Sequence, residues 1–231
     1  MLLEKQRLSK LNSDFSIGVV PDLRTDSSFF PIGCVIRTVS VRMGCVRRIQ
    51  STRFFLISRV MTMSTAIPFS TCDFCDAHKA SEADDFRVLL PVFKDFGGRT
   101  SFFGQVLTVK CYQDNSHVKS AVESEGQGRV LVVDGAGCLQ RALLGGNLAA
   151  SAARQGWAGV VIDGCVRDLS EINLLPIGIR ALALNPMPTM RAGQGQTGVS
   201  VRVQGTRVHT GDWLYADTDG MVLSRVPLHI S

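Results

Sequence analysis

The chain has no run approaching the ~18 consecutive uncharged apolar residues that a membrane-spanning helix needs, so no membrane segment is expected. It has no Walker A loop, no Gly-x-Ser-x-Gly elbow and no His-Glu-x-x-His pair. That removes the common signatures of P-loop nucleotide binding, serine hydrolysis and zinc proteolysis. Internal repeats and low-complexity tracts are absent. A 45% hydrophobic, 19% charged composition excludes disorder, collagen and coiled coil. There is no disulfide framework either. The seven cysteines, Cys34, Cys45, Cys72, Cys75, Cys111, Cys138 and Cys165, are an odd number, and most sit singly in apolar segments. Reduced, buried thiols of this kind point to a reducing compartment, and the expected location is cytoplasmic.

What is present is 231 residues, enough for one domain with an extra segment. A domain of this size buries roughly 70% of its unfolded surface and needs no covalent staple. Twenty-two Gly against two Tyr suggest many tight turns around a compact α/β core. The net charge of +5 is unevenly spread. Residues 1–60 hold ten of the 25 Lys/Arg and only four of the 20 Asp/Glu, whereas the remainder holds fifteen and sixteen. The body of the chain is therefore neutral, and no direct nucleic-acid contact is expected of it.

The first sixty residues show no useful hydrophobic period. From Gly33 to Val60 there are six arginines (Arg37, Arg42, Arg47, Arg48, Arg53 and Arg59) and no acid. This is the composition of an organellar transit peptide in the wrong place, because residues 1–30 carry all four acids. An upstream extension is preferred over targeting, with Met61 or Met63 as the true start. Residues 1–62 are expected to lie outside the fold, and 63–231 to form the domain.

From Thr71 the sequence becomes orderly. Thr71 to His78 reads as a helix capped by Thr71, with Asp73 and Asp76 near the positive end of its dipole. Phe102–Cys111 has strand character, and Val118–Ser124 is a short helix. Arg129–Val133 is a continuous apolar strand ending in Asp134-Gly135-Ala136-Gly137. Gly145–Gln155 is a helix of small residues, and Ala158–Ile162 is a second buried strand ending in Asp163-Gly164. Strand, helix and strand in this compass form a βαβ crossover, so the two strands should be parallel and neighbouring. Arg167–Leu174 starts another helix and Arg180–Leu184 another strand. From Val199 the period changes to two, in three runs punctuated by Gly205 and Asp219-Gly220, which reads as antiparallel hairpins.

Several motifs fail on context. Gly193 to Gly198 matches Gly-x-Gly-x-x-Gly but follows no strand and opens no helix, so it reads as a loop. Asp217-Thr218-Asp219-Gly220 resembles the start of a calcium loop, but Met221-Val222-Leu223 follow without oxygen ligands, and a hairpin turn is preferred. Cys72–Cys75 with His78 offers at most three metal ligands, and helix packing is the preferred reading.

Two elements of the βαβ unit are better placed. Gly145-Gly146-Asn147-Leu148 sets two glycines and a capping Asn at a helix start, where unpaired N–H groups cradle carboxylates or phosphates. Arg167-Asp168 lies just beyond the C-terminal end of the second strand, the edge at which parallel α/β units bind ligands. Both should face one crevice. There Arg167 would hold a carboxylate bidentately, and Asp168 would be a hard ligand for Mg²⁺ or Mn²⁺. Together they would bind a small 2-oxo acid and favour its enolate. The alternative stays open that Asp168, three residues before Glu171, merely caps a helix and that Arg167 pairs with a nearby acid.

The segments RVLVVDGAG, RALLGGNLAASA, GWAGVVIDGCVRDLSEI, GDWLYADTDG and FGGRTSFFGQVLTVKCYQDN together resemble the RraA-like family, from about Ser70 to Ile230. That family includes class II 4-hydroxy-4-methyl-2-oxoglutarate aldolases and regulators of ribonuclease activity A. The resemblance implies an α/β fold of the β/β/α swivelling type, assembled as a homotrimer with sites near subunit boundaries. It implies substrate binding by Gly145, Gly146, Asn147, Leu148 and Arg167, with Asp168 holding a divalent metal. The implied activity is a metal-dependent lyase that also decarboxylates oxaloacetate. An acidic group that the aldolases are thought to take from a neighbouring subunit's chain end has no counterpart, since residues 220–231 contain no Asp or Glu. The main rival is a non-enzymatic protein inhibitor of ribonuclease E, against which the intact Arg167-Asp168 pair speaks. A demethylmenaquinone methyltransferase is disfavoured by the lack of a proper nucleoside-binding loop. A Schiff-base mechanism would need a lysine in the crevice, and Lys110 is the one lysine expected within a strand.

Overall fold

The computed structural model describes residues 69–80 and 84–229, so the expectations for residues 1–62 lie outside the described residues. Helix α1 (Thr71–His78) leads to strands β1 (Phe86–Val88) and β2 (Lys94–Phe96). Then come β3 (Phe102–Lys110), α2 (Ser116–Glu123), β4 (Val130–Leu144), α3 (Gly146–Arg154), β5 (Gly159–Val166), α4 (Leu169–Ile172) and β6 (Gly178–Leu184). Strands β7 (Gln196–Thr197), β8 (Val201–Val203), β9 (Thr206–Val208), β10 (Trp213–Ala216) and β11 (Met221–Ser224) follow. The main sheet runs β1-β11-β10-β3-β4-β5-β6-β2, with β7 added to β3. Its centre, β3-β4-β5-β6, is parallel, and both flanks are antiparallel. This is the mixed α/β architecture with a parallel βαβ unit that the sequence predicts. The period-two segment forms two separate hairpins, β8–β9 and β10–β11.

The apolar runs of β4 and β5 are continuous because both faces of the central sheet are covered. Leu131, Val133, Val160 and Ile162 pack under α2 and α3 with Val118, Val122, Ala149 and Ala152. Val130, Val132 and Val161 face the other way, against Val201, Val203 and Val208 of the β8–β9 hairpin. The alanines of α3 let that helix lie close to the sheet. Gly159 and Gly178 serve a similar end, since a Cβ on either would overlap the Phe102 ring.

Three local readings change. Ser70, not Thr71, caps α1, accepting from the Asp73 N–H at 3.2 Å. Thr71 instead donates its N–H and its hydroxyl to Asp217, each at 2.7 Å. The Asp134–Gly137 segment does not end its strand. There β4 bulges, with Ala136 and Gly137 at positive φ, and its pairing with β5 jumps from Asp134↔Asp163 to Cys138↔Gly164. Likewise β5 continues through Asp163-Gly164 to Val166. Apolar periodicity could not show this, because the continuation is an irregular ladder held by backbone bonds.

Candidate active site

The register of β4 and β5 builds the site. Their last Cα pair is Leu144↔Val166, and the Arg167 N–H donates to the Leu144 carbonyl at 3.0 Å. Gly145 and Arg167 therefore emerge side by side from adjacent strand ends. Gly145 is the N-cap of α3, in an extended conformation with no side-chain cap. The next residue after Arg167, Asp168, takes a left-handed conformation (φ 64°), a strained choice for a non-glycine residue. That turn brings its Oδ2 back to the Gly146 N–H at 3.0 Å and to Arg167 Nε at 3.4 Å.

Asp168 does stand at the N-cap of α4, but its side chain makes no bond to that helix. It satisfies the first turn of α3 instead. The expected Asn147 cap is also corrected: Asn147 is exposed inside the first turn, and the cap position belongs to Gly145. The N–H groups of Asn147 and Leu148 fall among the helix-start donors that lack an intrahelical acceptor. Both glycines leave room for the side chains of Arg167, Asp168 and Glu171. A Cβ on Gly145 would lie 2.7 Å from Asp168 Oδ2 and 3.1 Å from Arg167 Nε. A Cβ on Gly146 would overlap the Glu171 carboxylate and lie 3.0 Å from its Cβ.

Gly145, Asn147, Leu148, Arg167 and Asp168 line a cavity of ≈190 Å³ together with Asn115, Pro188, Thr189 and Arg191, whereas Gly146 lies behind it, its N–H turned to Asp168. Sequence reading missed this second wall. Residues 185–195 show no period, so nothing but a lone cation in a Pro- and Gly-rich loop marked Arg191. The loop is held along β4 by Ala142 N–H to Met187 O (2.8 Å) and Arg141 Nη1 to Pro188 O (2.7 Å). Asp114 clasps its far end, accepting from the Ala192 and Gln194 N–H groups at 2.6 and 3.2 Å and from the Ser116 N–H at 2.7 Å. Burial alone would raise the Asp114 pKa, but bonds from Ser116, Gln194 and Ala192 outweigh it and hold the carboxyl at about 2. Asn115 is 7% exposed and donates Nδ2 to Leu143 O at 3.2 Å, while its Oδ1 and the Thr189 hydroxyl have no hydrogen-bond partner among the described residues.

The chemistry of the donor set limits what can bind. Asp168 Oδ1 carries no bond among the described residues, and the side chain is 38% exposed. No group of three His, Cys, Asp or Glu side chains is placed to enclose a metal among the described residues. A single hard carboxylate fits an ion that keeps most of its waters, as Mg²⁺ does, and does not fit a zinc cage.

The other motifs take structural places. Asp217 accepts from Asp219 and Gly220 in the β10–β11 turn as well as from Thr71, so it ties a turn to a helix. The nearby Asp219 charge, burial and Asp217 raise the Cys72 thiol, and burial raises Cys75, so neither is a ready thiolate. His78 bonds the Phe74 carbonyl and stacks on Phe86. Residues 193–198 form a loop whose β7 pairs antiparallel with β3, with no helix following. Lys94 joins Lys110 within a strand, but both are exposed and neither lines the cavity.

The sequence family model described as RraA-like, Aldolase/RraA, matches residues 71–223. An Albidiferax ferrireducens protein named "Putative 4-hydroxy-4-methyl-2-oxoglutarate aldolase" is 61% identical over 164 residues, 68% of this chain and 95% of its own length. An Arabidopsis thaliana protein of the same name, numbered 1, is 45% identical over 70% of this chain and 98% of its own. Among solved structures, the RNA-processing inhibitor RraA from Thermus thermophilis superposes with TM-score 0.66 at 43% identity, over 70% of this chain and 96% of that one. A Geobacillus kaustophilus structure titled S-adenosylmethionine:2-dimethylmenaquinone methyltransferase gives 0.65 at 40% identity, over 69% and 97%. By family match, identity and fold together, this chain belongs to the RraA-like family.

Proposed function

We propose that the chain is a divalent-metal-dependent class II aldolase that cleaves 4-hydroxy-4-methyl-2-oxoglutarate to two pyruvates and also decarboxylates oxaloacetate. The observation that carries this reading is the convergence of Arg167, Asp168 and the α3 N-terminus on one cavity, with Arg191 on a different wall. Both substrates are 2-oxo acids with two carboxylates. Arg167, with the N–H groups of Asn147 and Leu148, would hold the carboxylate beside the 2-oxo group, and Arg191 the distal one. The Thr189 hydroxyl, without a partner among the described residues, would donate to a substrate carboxylate, and Asn115 Oδ1 would accept from the C4 hydroxyl of 4-hydroxy-4-methyl-2-oxoglutarate.

Both reactions break the bond between C3 and C4 and leave its electron pair on the enolate of pyruvate. In the cleavage the C4 hydroxyl gives up its proton to water and its carbon leaves as the second pyruvate; in the decarboxylation C4 leaves as CO₂. A proton from water at C3 then quenches the enolate. Arg167, on the neighbouring carboxylate, would help to stabilise the charge that develops on the enolate oxygen. A Mg²⁺ or Mn²⁺ ion on Asp168 would polarise the 2-oxo group. Among the described residues no lysine lines the cavity for a Schiff base.

The test is pyruvate release by the full chain from both substrates with Mg²⁺, with EDTA and in Asp168→Ala. Calorimetric binding of Mn²⁺ provides a readout apart from turnover. The expected result is metal-dependent turnover that falls about 10³-fold in the variant, with Mn²⁺ binding lost. No turnover from the folded protein would overturn the reading.

The likeness to the Thermus RraA supports a second reading, a protein inhibitor of ribonuclease E. Inhibition that survives Asp168→Ala, in a chain that releases no pyruvate, would establish it.

A further inference from the structure

On another part of the sheet, a cleft of ≈500 Å³ lies between β1 and the β8–β9 hairpin, lined by Arg87, Arg202, Arg207, Thr206, Gly205 and Asp84 among others. It shares no residue with the candidate active site. Arg202 and Arg207 are direct cross-strand partners, and both are exposed. Like charges placed directly opposite on a sheet destabilise it. Among the described residues neither guanidinium has an acidic partner within salt-bridge distance.

The hairpin cannot easily relieve the repulsion by moving. Its two-residue turn, Gln204-Gly205, has both residues at positive φ, and the Gln204 side chain donates to buried Asp163 at 2.7 Å. The third arginine adds to this anchoring. Arg87 is 8% exposed and donates to the Arg207 carbonyl at 2.7 Å and to Asp212 at 2.9 Å. Its Nε has no acceptor among the described residues. Asp212 neutralises Arg87 but not the pair above it, and among the described residues Asp84 is the one acid lining the cleft.

We infer that this cleft is a binding site for a small phosphate-bearing anion, held between Arg202 and Arg207. Two guanidinium forks on a rigid hairpin match the several oxygens of a phosphate. The cleft has room for a small organic phosphate as well as the free ion. An extended polyanion is disfavoured, because the body of the chain carries fifteen basic and sixteen acidic residues from position 61 onward.

The test is calorimetric titration of the full chain at low ionic strength with inorganic phosphate, pyrophosphate and glycerol 3-phosphate. Arg202→Gln/Arg207→Gln and Arg167→Ala are run beside the wild type. The expected result is binding that weakens at least about tenfold in the double variant and is unchanged in Arg167→Ala. The order of the three affinities then tells a free anion from an esterified one. Without any anion, the double variant should melt about 1–3 °C higher than the wild type, since it loses the cross-strand repulsion. The site is refuted if none of the three probes binds, if the double variant binds as the wild type does, or if Arg167→Ala alone abolishes binding. Binding of an oligoglutamate peptide in place of all three would refute it in favour of an acidic protein partner.

Discussion

The wall of the active-site cavity formed by β4, α3 and β5 and the wall formed by Asn115 and residues 188–191 are held by different means. The first is continuous with the parallel sheet. Leu144 pairs with Val166, the next residues are Gly145 and Arg167, and Asp168 closes the corner on the Gly146 N–H. The second is a loop pinned from outside by Asp114, by two bonds along β4 and by isolated bridges at Asp114↔Met190 and Ala142↔Pro188. A wall made by register resists displacement because moving it breaks a ladder. A wall made by clasps can be released one bond at a time. Chemistry that needs fixed charge belongs on the first, and selection among substrates can be left to the second.

The largest effect on that contrast should come from Gly146→Ala. The added methyl displaces the exposed Glu171 carboxylate and lies 3.0 Å from its Cβ, so α4, and Asp168 at its start, must give by a few tenths of an ångström. A displacement of this kind near the chemistry costs on the order of 10²-fold in kcat. Overpacking should also lower stability by about 1–3 kcal/mol. Steady-state kinetics with urea denaturation checks both. Unchanged kcat would mean that the register wall is softer than its geometry implies.

The two walls also differ in how far the sequence announces them. Apolar runs at 129–133 and 158–162 define parallel strands, and parallel strands bring their C-terminal ends together, so Gly145–Leu148 and Arg167-Asp168 are legible as one crevice. Which helix Asp168 caps is not legible, because it depends on the left-handed turn at that residue. Nor is the β4 bulge, where pairing with β5 skips from Asp134 to Cys138, then to Ala142 and Leu144. The loop wall is silent for a further reason. Its position rests on Asp114 reaching residues about eighty positions away, a link that leaves no period and no local signature.

Arg191→Gln tests the division of labour more gently. KM for the two-carboxylate substrates should rise about 10–100-fold, the worth of one bidentate ion pair, with a small change in kcat. Inhibition by pyruvate, which has a single carboxylate, should be unchanged, and Arg191→Lys should recover part of the loss. Equal weakening of pyruvate and of the larger substrates would place Arg191 on the pyruvyl side and remove the distinction between the walls.

The smallest effect is the pH response of the clasp. The Asp114 carboxyl is held at about 2, below its ordinary 3.8, so it stabilises the fold fully above the ordinary value. That contribution is lost as pH falls toward about 2. Asp163 acts in the opposite sense. Burial foremost, with Asp134 opposite it, raises its pKa, so its contribution is greatest in acid and declines as pH rises through the folded value. Acid therefore releases the loop clasp while leaving the Asp163 anchor of the β8–β9 hairpin intact. Urea midpoints of the wild type and Asp114→Asn should differ by a constant amount at neutral pH and converge as pH drops below about 4. Limited proteolysis should over the same interval open residues 185–195 before the sheet. A gap that persists undiminished at the acid limit would show that Asp114 holds the loop by shape rather than by charge.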